Sequence, residues 1–146
     1  MMESDRELVR NLRELQQSCL RAMGLLSALI AYLWLGYLIW PVTGYAAPRE
    51  AIAGALALAI GASAALALAK RHVYAGAVIL VVASLLSAAS IQMSMRAWYI
   101  AFIFALPVVF ANGLLGGRSA WVVTLAACLL TAWAGRMGPV DTPFAM

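Results

Sequence analysis

His72 is the only histidine in the chain, and a neutral imidazole nitrogen at that position could ligate a metal or a porphyrin-type pigment. It follows Lys70 and Arg71, with no second ligand nearby in sequence, so an interfacial histidine at a helix end is the simpler reading. Ser84, Ser87, Ser90 and Ser94 recur at spacings of three and four, which at about 100° per residue places them on roughly one face of a helix. Such a stripe serves either interhelical hydrogen bonding or the lining of a small apolar-ligand site, and packing is the stronger expectation. Cys19 and Cys128 sit in different segments and form no disulfide framework, so both read as reduced, small apolar residues. The run from Asn112 to Arg118 is rich in glycine but lacks the Gly-Lys-Ser/Thr ending with which a P-loop holds phosphate. There is no HExxH, CxxC or GxSxG, and carboxylates are paired only in the charged N-terminal segment. These residues predict no enzyme, no metal and no dedicated cofactor; a lipid, quinone or pigment is the class of ligand they leave open.

The elements that carry these residues are defined by where charge falls. Between Ala22 and Gly135 charged residues occur only at Arg49-Glu50, Lys70-Arg71, Arg96 and Arg118. The uncharged intervals, 22–48, 51–69, 73–95, 97–117 and 119–135, are 27, 19, 23, 21 and 17 residues long. A hydrocarbon core about 30 Å thick needs roughly 20 apolar residues at about 1.5 Å each, so five crossings are expected. Composition agrees: 65% of residues are hydrophobic and 11% charged, and the mean hydropathy is +0.92. A water-soluble globule of 146 residues could not bury that much apolar surface. The expected fold is an all-α integral membrane protein, a bundle of five transmembrane helices (22–41, 51–69, 73–95, 97–115 and 119–135) in a domain spanning 22–135. An amphipathic helix at 1–21 precedes it, continuous with helix one, and an irregular tail at 136–146 follows.

At the start, Ser4-Asp5-Arg6-Glu7 has capping-box spacing. Leu8, Leu12, Leu15 and Cys19 then recur at four, three and four, an apolar seam flanked by Arg and Glu. It predicts either an amphipathic helix on the bilayer surface or a short coiled-coil or partner-docking seam, the former favoured. A cleaved signal peptide fits poorly, because the apolar run far exceeds the usual length and Trp34, Tyr37 and Trp40 are bulky.

Basic residues favour cytoplasmic loops. Seven of the ten fall on one side: Arg6, Arg10, Arg13, Arg21, Lys70, Arg71 and Arg118. The remainder, Arg49, Arg96 and Arg136, fall on the other. The N-terminus is therefore expected in the cytoplasm and the C-terminus outside. Trp40, Trp98, Tyr99, Trp121 and Trp133 lie near helix ends, as interfacial anchors should. The basic residues, one or two at a time, read as topology signals, and nucleic acid is not an expected partner.

Helix two is dominated by alanine, with Ala53, Ala57, Gly61, Ala65 and Ala69 at every fourth position, a pattern that lets helix backbones approach closely. It is expected to be central and protein-facing. Pro107 is expected to kink helix four, and the Asn112–Arg118 segment to turn the chain into helix five. No Asp, Glu, Lys, Arg or His lies inside the five spans, which argues against a proton pump or ion-coupled carrier.

The basic N-terminal helix, then YLIWP, the Lys-Arg-His turn after an Ala-rich helix, and PVVFANGLLGGRSAWVVTLA resemble the membrane-embedded input regions of bacterial sensor histidine kinases and related signalling proteins. The resemblance implies a multi-pass module of the bacterial inner membrane that senses by helix packing. In that family a sixth helix returns the chain to a cytoplasmic output domain, whereas this sequence carries five apolar stretches. Two functions follow. One is a non-catalytic, sensory-input-like membrane module that binds a lipid, quinone or other apolar ligand. The other is an accessory subunit of a larger membrane complex, respiratory or photosynthetic. Expected partners are membrane lipids together with other transmembrane subunits or a second copy of the chain.

Overall fold

The computed structural model describes residues 2–40, 48–95 and 103–136. The expected anchors Trp98 and Tyr99, residues 41–47 between the first two helices, the first residues of helix four and nearly all of the C-terminal tail lie outside them. The described residues form five α-helices and no strand. Helix α1 runs Met2–Ile39, α2 Arg49–Leu68, α3 Val73–Met95, α4 Ala105–Leu115 and α5 Gly117–Arg136. Of these, α1, α2 and α3 are each long and apolar enough to cross a membrane. The described part of α4, 11 residues, spans about 16 Å at about 1.5 Å per residue.

Helix α1 continues without interruption from the charged N-terminal segment into the apolar one. No proline or glycine interrupts the sequence between Met2 and Gly24, so the amides of each turn can donate to the carbonyls of the turn before it. Helix α2 starts on Pro48, whose carbonyl accepts from the amides of Ala51 and Ile52 at 3.0 and 3.3 Å. Pro48 has no N–H to lose, which suits a position where helix donors have no partner anyway. At the other end of α2, the chain turns through Ala69 to His72, and the His72 amide donates to Leu68 O at 2.8 Å. The Ala69 carbonyl accepts from Gln17 Nε2 at 2.9 Å, so α1 satisfies an orphan acceptor at the end of α2.

Helix α3 touches all four other helices, while α2 lies between α1 and α3. Helix α3 thus has the most neighbours, and the alanine-rich α2, expected to be central and protein-facing, packs along α1 and α3. Within α2 the fourfold stripe does not keep to the buried face, because each step of four residues turns about 400° and drifts by about 40°. Ala53 is accordingly exposed, Ala57 half-buried, and Gly61, Ala65 and Ala69 buried. The buried face follows Ala51, Gly54, Ala55, Leu58, Ala62 and Ala65, at mixed spacings of three and four.

Pro107 stands in the first turn of α4, and the preceding part of the expected helix four, against which its kink would be read, lies outside the described residues. One departure arises at the end of α4. Asn112 and Gly113 are helical, and the turn into α5 is made by Gly116 alone. Its φ of +92° is the left-handed region that glycine adopts without a side-chain clash.

The α2–α3 turn, the α4–α5 turn and residues 17–23 of α1 meet at one end of the bundle. There Leu20, Ala69, Ala77 and Leu114 share one buried cluster with Met23, Val73, Leu115 and Ala120 packed on it. Arg21, Lys70, Arg71 and Arg118 are exposed at this end. At the far end Ala88, Phe104 and Ala127 form a second cluster.

Candidate functional site

Close packing holds α2 against α3. A Cβ on Gly54 would lie 2.8 Å from Ser90 Cβ and 3.3 Å from Ser87 O, and one on Gly61 would land on the Ala83 methyl. Ser84 and Ser87 are buried at this packed core, while Ser90 and Ser94 are half-buried. The hydroxyls of Ser84, Ser90 and Ser94 donate to Val81 O, Leu86 O and Ser90 O at 2.8, 2.9 and 3.0 Å. These are bonds within α3 rather than across helices. Ser84, Ser90 and Ser94 therefore contribute small volume and internally satisfied polarity to the seam, and Ser87 small volume. Gly61, Ala65, Ser84 and Ser87 lie in the packed interior and Ala53 outside it.

His72 is exposed, and its carbonyl accepts from the Gly76 amide at 2.9 Å at the start of α3. Among the described residues no group of three His, Cys, Asp or Glu side chains comes together. Trp40, Trp121 and Trp133 are exposed near the ends of α1 and α5.

A shaped surface lies elsewhere, between α4 and α5. A cavity of about 600 Å³ is lined by Phe104, Ala105, Val108 and Val109 of the α4 side and by Thr124, Ala127, Cys128 and Thr131 of α5. A second, of about 390 Å³, shares Val108, Val109 and Thr124 and continues the groove to Asn112, Gly117 and Trp121. Thr124 Oγ1 donates to Ala120 O at 2.8 Å, and Thr131 Oγ1 to Ala127 O at 2.9 Å. Both hydroxyls are thus occupied by their own helix, and they ask nothing of a ligand. The groove changes character along its length: apolar between Phe104 and Thr124, then more polar at Asn112.

Of these groove residues the sequence marks Trp121 as an anchor, Cys128 as a reduced, small apolar residue, and Asn112 and Gly117 as part of a glycine-rich turn; Cys128 is exposed in the groove. A signal was available. Ala120, Thr124, Cys128 and Ala132 recur at every fourth position of α5, the spacing already noted in α2.

Two buried polar atoms, Ser27 Oγ and Gln92 Oε1, have no hydrogen-bond partner among the described residues. Gln92 is 5% exposed near the end of α3. An unsatisfied buried acceptor costs about 1–3 kcal/mol. Gln92→Leu is therefore expected to stabilise the bundle by about 1 kcal/mol, read as a higher midpoint in reversible unfolding; a lower midpoint would show that the amide has a partner that matters.

Fold and surface together define a helical bundle with three helices long and apolar enough to cross a membrane. No family model, curated protein or solved structure matches the chain.

Proposed function

We propose that the chain is a non-catalytic membrane module, sensory-input-like, whose α4–α5 groove takes a lipid or other apolar ligand and whose helix packing responds to it. The observation that carries this reading is the groove itself, about 600 Å³ in its larger part, with its two threonine hydroxyls turned back onto α5. A ligand recognised there gains apolar contact and gives up no hydrogen bond. A two-state response requires only that the ligand prefer one arrangement of α5 on α4 and α3 over another.

In this reading the chain crosses the bacterial inner membrane five times. The cationic end formed by Arg21, Lys70, Arg71 and Arg118 faces the cytoplasm, and the C-terminus lies outside. The convergence of the α2–α3 and α4–α5 turns on the same end as residues 17–23 supports that arrangement, because basic residues are retained on the cytoplasmic side. A second reading, an accessory subunit of a respiratory or photosynthetic complex, draws support from the small residues at every fourth position of α5. That face could receive a helix of another subunit as readily as an acyl chain.

Thermal unfolding in detergent, with and without dioleoyl phosphatidylglycerol or decylubiquinone, tests the ligand reading. The lipid is expected to raise the midpoint by several degrees. Val109→Trp and Cys128→Trp, at exposed groove positions, are expected to abolish that rise while leaving helicity unchanged. No rise with either compound, or one that both variants retain, would reject the groove as the ligand site.

A further inference from the structure

The seam begun by Leu8, Leu12, Leu15 and Cys19 does not stop at the edge of the bundle. It continues through Ala22, Leu26, Leu29 and Leu33, alternating steps of four and three throughout. All six leucines are more than half exposed. The bundle is held by other positions of α1: Gln17 reaches Ala69, Leu20 and Ala28 enter the main buried cluster, and Ala31 packs with Leu58 and Ala59. Helix α1 thus carries two apolar faces: one is spent inside the chain, and the other keeps its six leucines largely exposed, with Cys19 alone half-buried against the main cluster.

We infer that the outer face pairs with the same face of a second copy, as a parallel two-stranded coiled coil running from the N-terminal extension into the membrane. The inference rests on the membrane reading above and names the partner. Three observations favour a second copy. First, residues 2–16 precede the first bundle contact and extend about 22 Å beyond it at about 1.5 Å per residue. Their charged groups, such as the exposed Arg10–Glu14 pair at 3.8 Å, mark a solvated segment. Lipid can cover Leu26 to Leu33 but not Leu8 to Leu15, and a soluble partner can cover only the latter. Two copies inserted in the same orientation present both halves at matching heights. Second, the positions flanking the seam in the solvated part, Val9, Asn11, Gln16 and Ser18, are uncharged, so two copies meet no like-charge repulsion there. Third, a strip about 39 Å long and about 11 Å wide is about 430 Å² in projection on each chain and about 860 Å² over the pair, near the roughly 1,000 Å² total of a specific interface. The unbroken helix also disfavours the N-terminal segment lying flat on the bilayer, which would need a bend between it and the apolar half.

Cys19 lies on the seam, half-buried at the edge where it meets the main cluster, and supplies its own reporter. In membranes carrying Cys128→Ala, copper phenanthroline in air should oxidise two Cys19 thiols to one disulfide between copies, since facing Cα atoms in such a coil fall within the roughly 4.4–6.8 Å a disulfide spans. In a background lacking both native cysteines, Leu12→Cys and Leu15→Cys should cross-link at least ten-fold faster than Arg10→Cys and Arg13→Cys. Leu12→Glu, with Cys19 retained, should reduce the Cys19 dimer at least ten-fold without changing helicity. Equal rates at all positions, a yield that falls in proportion to dilution with lipid, or a Cys19 adduct to a different protein would overturn the inference. Carbonate extraction separates the two levels: a chain that washes out contradicts the membrane reading, whereas one that stays without seam-specific cross-links contradicts the dimer alone.

Discussion

Gly61→Val separates α2 from α3 and destabilises the bundle by about 3 kcal/mol, the upper part of the range for overpacking. Even an added Cβ would land on the Ala83 methyl, which is fixed to its backbone and cannot swing aside. Lipid gives helices no hydrophobic drive to associate, so what holds α2 to α3 is this close approach. Forcing the backbones apart weakens the contacts along the seam, including the Gly54 crossing at Ser87 and Ser90. Reversible unfolding in mixed detergent would read the loss. Rescue gives the sharper result. Ala83→Gly removes the methyl that the new Cβ strikes, so Gly61→Ala with Ala83→Gly should recover more than half of what Gly61→Ala loses. An additive pair, with no recovery, would mean that the two residues do not meet.

Leu80→Ala loses roughly 2 kcal/mol, whereas Leu86→Ala on the same helix changes stability little. Leu80 is fully buried in the main cluster, and Leu86 is 55% exposed. In water a leucine-to-alanine change in a core loses both transfer energy and cavity contacts. In a membrane the transfer part nearly vanishes, because lipid is as apolar as leucine, and the cavity part remains. The pair of variants therefore tests both the core and its surroundings. Unfolding in bicelles should show a large shift for Leu80→Ala and almost none for Leu86→Ala; a comparable loss at both would place Leu86 against protein.

Class and secondary structure were legible in the residues for a plain reason. Apolar runs of about 20 residues are set by bilayer thickness, and helix satisfies every backbone group locally. The uninterrupted passage of the N-terminal segment into the first apolar stretch was readable from the lack of proline or glycine before Gly24. Facing was harder. The fourfold alanine pattern pointed to Ala53, which is exposed, because a step of four drifts around a helix of 3.6 residues per turn. The serine stripe invited bonds between helices, but a hydroxyl near its own helix's carbonyl finds the closer partner there.

By itself the sequence determined that the chain is helical, apolar over most of its length and without charge inside its long apolar stretches, since these follow from composition and local spacing. Only tertiary structure decided that α3 has the most neighbours, that Gln17 closes the end of α2, and that α4 and α5 leave an apolar groove between them. It also assigned the inner face of α1 to the bundle and left the leucine seam outside. Those outcomes depend on which of several similar small-residue faces pack against one another, and lipid-like surfaces of equal hydrophobicity do not announce their partners along the chain.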